Sequence, residues 1–243
     1  MNKYVAIFFC VLFLSTTKEV YAEGDSSVTM SGASYSFIFD WRKSPTESHW
    51  TGFGYAISDL RGIEYENVDL NLNKSYSISL NLMDGIYPIS HNWLIGTGFG
   101  FNWLRYNFGD HVLDKTNNIT QFVSAGENET YYNGKLRVCY ATIPLFLEYQ
   151  TRKNDHSFFI NGGVEGLIRC GSNSLVEIQP DSGKRYKKKF GKDSNILPVN
   201  FRFFAQLGFG DFSFFGYYQP YSIFEKDKGP DVKPVGIGLK LNF

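Results

Sequence analysis

The sequence lacks an excess of charge of either sign: 24 Lys and Arg stand against 24 Asp and Glu. Duplex nucleic acid is bound through a surplus of cations on one face, so no nucleic-acid partner is expected. Long apolar runs are equally scarce. After Leu14 nothing approaches the roughly 18 consecutive apolar residues a membrane-crossing helix requires, which excludes a helical span. Mean hydropathy is only -0.24 and charged residues make up 20%. Against that ordinary polarity stand two surpluses, 18% aromatic residues and 24 glycines in 243 residues. Disordered chains are poor in aromatics, so the chain folds, and its length allows one large domain or two small ones.

Lys3 precedes the apolar run Val5 to Leu14, and Val20-Tyr21-Ala22 supplies a small-residue cleavage site. Residues 1–22 therefore read as a secretory signal peptide, too short in its apolar part to cross a bilayer. Residues 23–47 read as an N-terminal periplasmic segment or plug. Tyr35, Phe37, Phe39 and Trp41 alternate there with small or polar residues, but a ninth strand would break the even count usual for single-chain bacterial barrels.

Period-2 patterning dominates residues 48–243. From 91 to 103 the odd positions are Trp93, Ile95, Thr97, Phe99, Phe101 and Trp103, while Gly96, Gly98 and Gly100 lie between them. Successive side chains of a strand face opposite ways, so one face is large and apolar and the other nearly bare. The same rule predicts eight strands, near 48–59, 74–88, 91–108, 135–150, 156–172, 196–209, 211–224 and 232–243. The seventh is aromatic on both faces and stays unoriented.

The connections alternate in length: 60–73, 89–90, 109–134, 151–155, 173–195, Gly210 alone, then 225–231. Transmembrane barrels alternate short periplasmic turns with long external loops in this way. A secreted sandwich would turn polar faces to water, yet the non-apolar faces here carry Gly, Ser, Ala, Asn and Thr rather than Lys and Glu. Small residues suit the crowded inside of a narrow barrel. The predicted fold is all-β, an eight-stranded antiparallel up-and-down transmembrane β-barrel in the outer membrane, in contact with its lipids.

Several blocks resemble the PorT-like outer-membrane β-barrel proteins of Gram-negative bacteria. They are residues 48–56 (Ser-His-Trp-Thr-Gly-Phe-Gly-Tyr-Ala), Tyr140 to Tyr149, Asn161-Gly-Gly-Val, and the stretch from Phe224 to Leu239. The resemblance covers roughly residues 47–243 and implies a closed eight-stranded barrel. The namesake is linked to a secretion and gliding apparatus, a link not carried over, since one fold hosts many functions. Val235, Ile237, Leu239, Leu241 and Phe243 form an alternating terminal edge that barrel-assembly machinery is understood to read.

Candidate chemistry is thin. Inward positions include Glu148, Glu165, Arg169 and Arg202, and ionisable groups inside a narrow barrel are expected to pair, here as a Glu–Arg network with a structural role. Of the four histidines, topology puts His49, His91 and His156 at periplasmic ends and only His111 in an external loop, with no serine motif beside it. No enzyme activity and no cofactor or metal is expected; a lipid-modifying enzyme and a small channel are the alternatives. Six cations, Lys184, Arg185, Lys187, Lys188, Lys189 and Lys192, crowd one loop. Such a cluster suits lipopolysaccharide phosphates, an acidic polymer or envelope proteins, or is simply a solvated, mobile loop. Cys139 and Cys170 fall nearly opposite about the turn near Asn154, either as a cross-strand disulfide or as two small rim residues.

Overall fold

The computed structural model describes residues 45, 47–63, 68–151, 158–190 and 194–243. The signal peptide, most of the 23–47 segment, His156 and Lys192 lie outside the described residues. Among the described residues eleven strands form: β1 Gly52–Arg61, β2 Tyr76–Pro88, β3 Trp93–Gly109, β4 Val112–Thr116, β5 Ile119–Val123, β6 Glu129–Gln150, β7 Phe158–Pro180, β8 Tyr186–Phe190, β9 Val199–Phe209, β10 Phe212–Tyr218 and β11 Lys233–Asn242. Eight of them, β1, β2, β3, β6, β7, β9, β10 and β11, pair antiparallel in that order, and the β1–β11 pairing closes the ring. This is the eight-stranded up-and-down barrel the alternation predicts.

The register fixes the tilt. Following one hydrogen-bonded row from Tyr55 through Leu239, Phe214, Leu207, Ile160, Tyr149 and Trp93 leads back to β2 beside Ile89, although Tyr55 itself pairs with Ile78. The return lands 11 residues from the start (89 − 78), one of them Leu82 in the bulge between Asn81 and Met83. A shear of about ten, with eight strands about 4.8 Å apart, tilts the strands by roughly 40°. At that tilt Trp93 and Trp103 of β3 are separated by about 25 Å in depth, the height of the apolar band of an outer-membrane barrel.

Outward side chains between those two tryptophans are apolar and open, among them Phe214 at 66% exposure, Leu145 at 63% and Leu239 at 58%. Inward ones are small or polar and buried, such as Ser77, Ser79, Asn81, Asn102 and Thr142. Several glycines are seats for inward rings. A Cβ at Gly236 would meet the Tyr217 ring at 2.5 Å, and one at Gly98 would meet the Trp50 indole at 2.7 Å. The strand left unoriented, β10, turns Phe212, Phe214 and Tyr218 outward and Phe215 and Tyr217 inward.

Three expectations are corrected. The strand predicted over 211–224 stops at Tyr218, because Pro220 has no N–H to continue a ladder, and Ile223 and Phe224 instead fold into the external mouth of the barrel. The first strand begins at Gly52 rather than residue 48. The 109–134 and 173–195 connections are largely ordered: β6 and β7 run 22 and 23 residues, about twice a tilted crossing, so their outer halves stand beyond the membrane. There β8 pairs with β7, and the β4–β5 hairpin packs Val112 against Val176 and Ile178. Isolated loop segments cannot bury apolar side chains, whereas this two-layered lobe does.

Candidate functional site

The barrel interior gathers the polar groups, and it is closed from both ends. At the external end Ile63, Val68, Leu113, Ile196, Ile223 and Val232 come from different connections and pack over Tyr106, Tyr140 and Tyr217 of the wall. At the periplasmic end, residues 47–51 turn inward rather than starting β1. Gln150 Nε2 donates to the Glu47 carbonyl (2.7 Å) and Asn81 Nδ2 to the Trp50 carbonyl (2.9 Å). The His49 ring lies flat on Phe159 with centroids 3.7 Å apart, and Trp50 packs between Phe146 and Phe204. Between these closures a void of about 20 Å³ is bordered by Trp50, Glu165, Arg202 and Lys240, room for about one water.

All four predicted lumenal residues face inward, but they do not form one network. Glu165 of β7 and Arg202 of β9 are register partners and make a sealed ion pair through Arg202 Nε and Glu165 Oε2. The guanidinium also sits 4.5 Å from the Tyr217 ring centroid. Glu148 instead accepts from the His49 backbone N–H (3.2 Å), Gln150 Nε2 (2.7 Å) and Asn161 Nδ2 (3.0 Å), with His49 Nδ1 at 2.7 Å. Arg169 is opposite Tyr140, farther toward the external end. Among the described residues Glu165 pairs with Arg202, while the second glutamate secures the inturned segment.

Sequence reading missed Lys240. Its ammonium donates to the Trp50 carbonyl, reaches the His49 carbonyl (3.3 Å) and Gln206 Oε1 (3.4 Å), and sits 4.7 Å from the Trp50 ring. Gln206 Nε2 ties in Ser213 (2.8 Å), Asn242 (2.9 Å) and the His49 carbonyl (3.1 Å). The signal was present, since Lys240 and Asn242 occupy the small-residue face of the terminal strand.

Outside, the cationic segment is a strand rather than a loop. Lys187, Lys188 and Lys189 of β8 pair with Glu177, Val176 and Leu175 of β7. Lys187 lies 3.9 Å from Glu177, the Arg185 guanidinium 4.3 Å from the Tyr132 ring, and Lys188 4.8 Å from the Phe190 ring. Lysines on a terminal edge oppose the addition of another strand, and Lys184 is exposed beside it. Cys139 and Cys170 are free thiols. A bulge gives Cys139 Gly171 as its register partner and places Cys170 in the bulge, where the two thiols remain side by side and hydrogen-bonded. His111 pairs with Asp110 (2.8 Å).

The terminal edge is in place as β11. Ile237, Leu239 and Leu241 pair with Ile57, Tyr55 and Phe53, all outward, Val235 pairs with Asp59, and the Phe243 N–H reaches the Thr51 carbonyl (3.4 Å). No curated protein matches the sequence. A family model, described as an outer membrane protein beta-barrel domain, matches residues 44–223, about three-quarters of the chain. It ends before β11, the strand that the structure shows closing the ring. With its closed barrel and its lipid-facing apolar band, the chain is an integral protein of the outer membrane and belongs to the outer membrane protein beta-barrel domain family.

Proposed function

We propose that this protein is a non-conducting, non-enzymatic envelope component that works through its external lobe. The observation that carries this reading is the contrast between the two ends of one molecule. The lumen is filled from both mouths, while β6 and β7 extend twice as far as a crossing needs in order to hold β8 and the β4–β5 hairpin outside. A barrel that only needed to be anchored has no use for such extensions. The exposed cations Lys184, Lys187, Lys188 and Lys189 favour an acidic envelope partner through screened Coulomb attraction. The blocks quoted above support membership of the PorT-like branch of Gram-negative barrels, with export by a signal peptide and insertion by the barrel-assembly machinery as parts of the same proposal.

Photo-crosslinkers placed at Lys184 and Lys188 in cells test the reading: a discrete acidic adduct is expected, and its absence at both positions overturns it. Planar-bilayer recording is expected to give no conductance steps, and steady single-channel steps would replace the reading with a channel. Turnover of labelled lipid A that disappears in His111→Ala would replace it with an enzyme.

A further inference from the structure

A second external feature lies on the wall of the barrel rather than on the lobe. Above Ile78 and Trp103 an open groove of about 800 Å³ runs across the outward faces of β2, β3, β6 and β7. Its floor is apolar, formed by Ile78 and Trp103, and its upper part carries Arg105, Arg137, Asn173 and Lys189. Tyr76, Arg105, Arg137 and Asn173 form one continuous register row. With strands tilted about 40°, each step along the row climbs about 3 Å and each pair of residues along a strand about 5 Å. Arg105 and Arg137 therefore stand roughly 5–8 Å above Trp103, the upper edge of the apolar band. That is the depth of the lipid headgroups, which occupy about 5–8 Å on each side of a 30 Å core.

Among the described residues the cations there have few partners of opposite sign. Arg105 reaches the Tyr76 hydroxyl at 3.4 Å and stacks 5.5 Å from its ring, yet its Nε is buried with no acceptor among the described residues. Lys135, at 7% exposure, lies two residues from Arg137 on β6, opposite Asn107. Burial, then the nearby charges of Arg105 and Arg137, hold the Lys135 ammonium below its ordinary pKa, with Glu177 as the opposing carboxylate. Gathering cations at one depth over an apolar floor is unfavourable unless an anion with an apolar tail completes it.

The geometry points to a binding site for a phosphorylated lipid of the outer leaflet, with its phosphate on Arg105 and Arg137 and an acyl chain along Ile78 and Trp103. Guanidinium groups suit this role because their fork matches phosphate oxygens in a bidentate fashion. The site deepens the reading of an externally acting barrel by naming a lipid as one partner, and its arginines are separate from Lys184 and Lys188, although Lys189 of β8 borders the groove.

Full-length protein in phosphatidylcholine nanodiscs, titrated with bisphosphorylated lipid A, tests the site. Arg105→Gln/Arg137→Gln is expected to weaken binding by about tenfold or more, from the loss of two charge-assisted contacts. Dephosphorylated lipid A is expected to lose a similar factor on wild type, and Arg105→Lys/Arg137→Lys to retain part of the affinity. Retention of the heat-dependent gel shift shows that the variants fold. Equal binding by the Gln variant and wild type, or no dependence on the lipid phosphates, overturns the site. So does competition by millimolar inorganic phosphate, which would indicate a free-phosphate site. Loss of binding only in Lys184→Gln/Lys188→Gln overturns it as well, while leaving the lobe reading intact. A missing adduct at Lys184 and Lys188 would have the reverse meaning.

Discussion

Replacing Glu165 by Leu leaves the Arg202 guanidinium inside the barrel with its ion-pair partner gone. The two side chains are 2% and 6% exposed, so water cannot take over the role of the carboxylate. What remains to Arg202 is the face of Tyr217 at 4.5 Å, worth about 0.5–2 kcal/mol. Breaking a buried pair from one side costs about 3–5 kcal/mol, whereas exchanging both partners for apolar groups is close to neutral. The void of about 20 Å³ beside the pair is too small to admit a hydration shell. Glu165→Leu is therefore expected to lose about 3–5 kcal/mol, lowering a urea midpoint by roughly 2 M for an m-value near 2 kcal/mol/M. Arg202→Met should cost a similar amount, and the double variant Glu165→Leu/Arg202→Met should recover most of the loss. The assay is reversible urea unfolding in detergent micelles followed by tryptophan fluorescence, with the heat-dependent gel shift reporting the closed barrel. A single-variant loss below about 1 kcal/mol, or costs that simply add in the double variant, would refute the claim that the pair is sealed and mutually dependent.

Depth along the wall sets a second expectation. Leu145 lies near mid-membrane by the register and Tyr87 near the periplasmic edge, so Leu145→Arg should cost about 2–4 kcal/mol and Tyr87→Arg about 0–1, measured by the same unfolding assay. Gly236→Leu should lower stability by at least about 1–3 kcal/mol, because the Tyr217 ring occupies its inner face on the way to Ser58, 2.5 Å from hydroxyl to hydroxyl; the loss should shrink on adding Tyr217→Leu. Removing Phe243 is expected to slow outer-membrane insertion in cells while leaving refolding into micelles nearly unchanged, and equal rates in cells would count against an assembly signal.

The barrel itself was legible because its physics is written locally. A strand between lipid and a narrow lumen has to alternate large apolar with small or polar residues, and segments such as 91–103 do so without interruption. Most strand positions and the lumenal placement of Glu148, Glu165, Arg169 and Arg202 follow from that alternation, and the external end follows from the connection lengths. The lobe was not legible, because Val112, Val176 and Ile178 acquire an inside only when β4–β5 folds onto β6 and β7, and no period in either segment announces the other. Lys240 was passed over for a related reason. Its place on the inner face was readable, but its partner is the backbone of Trp50, and backbone carbonyls have no sequence signature. The bulge at Cys170 likewise leaves no local mark, and it makes Gly171 the register partner of Cys139 while keeping the two thiols adjacent.

Closing the lumen also has a consequence for where specificity can reside. Lys240, Gln206 and Glu148 spend hydrogen bonds on the inturned backbone of His49 and Trp50, so these three interior groups are engaged by the chain itself. A small ligand entering there would have to displace contacts that are intramolecular and preorganised, and would gain only equivalent ones in exchange. Interior groups left without a hydrogen-bond partner, among them Asn102 and Thr142, lie behind both closures, whereas the outer wall and the lobe are open to a partner. Arg105 retains a buried donor without an acceptor, and the β8 lysines face outward on an edge that no strand covers among the described residues. Unsatisfied polar groups are where an external partner gains most, because it supplies a hydrogen bond that the free protein does not already make. On the proposed reading the interior serves rigidity, and recognition falls to the face above the upper aromatic girdle.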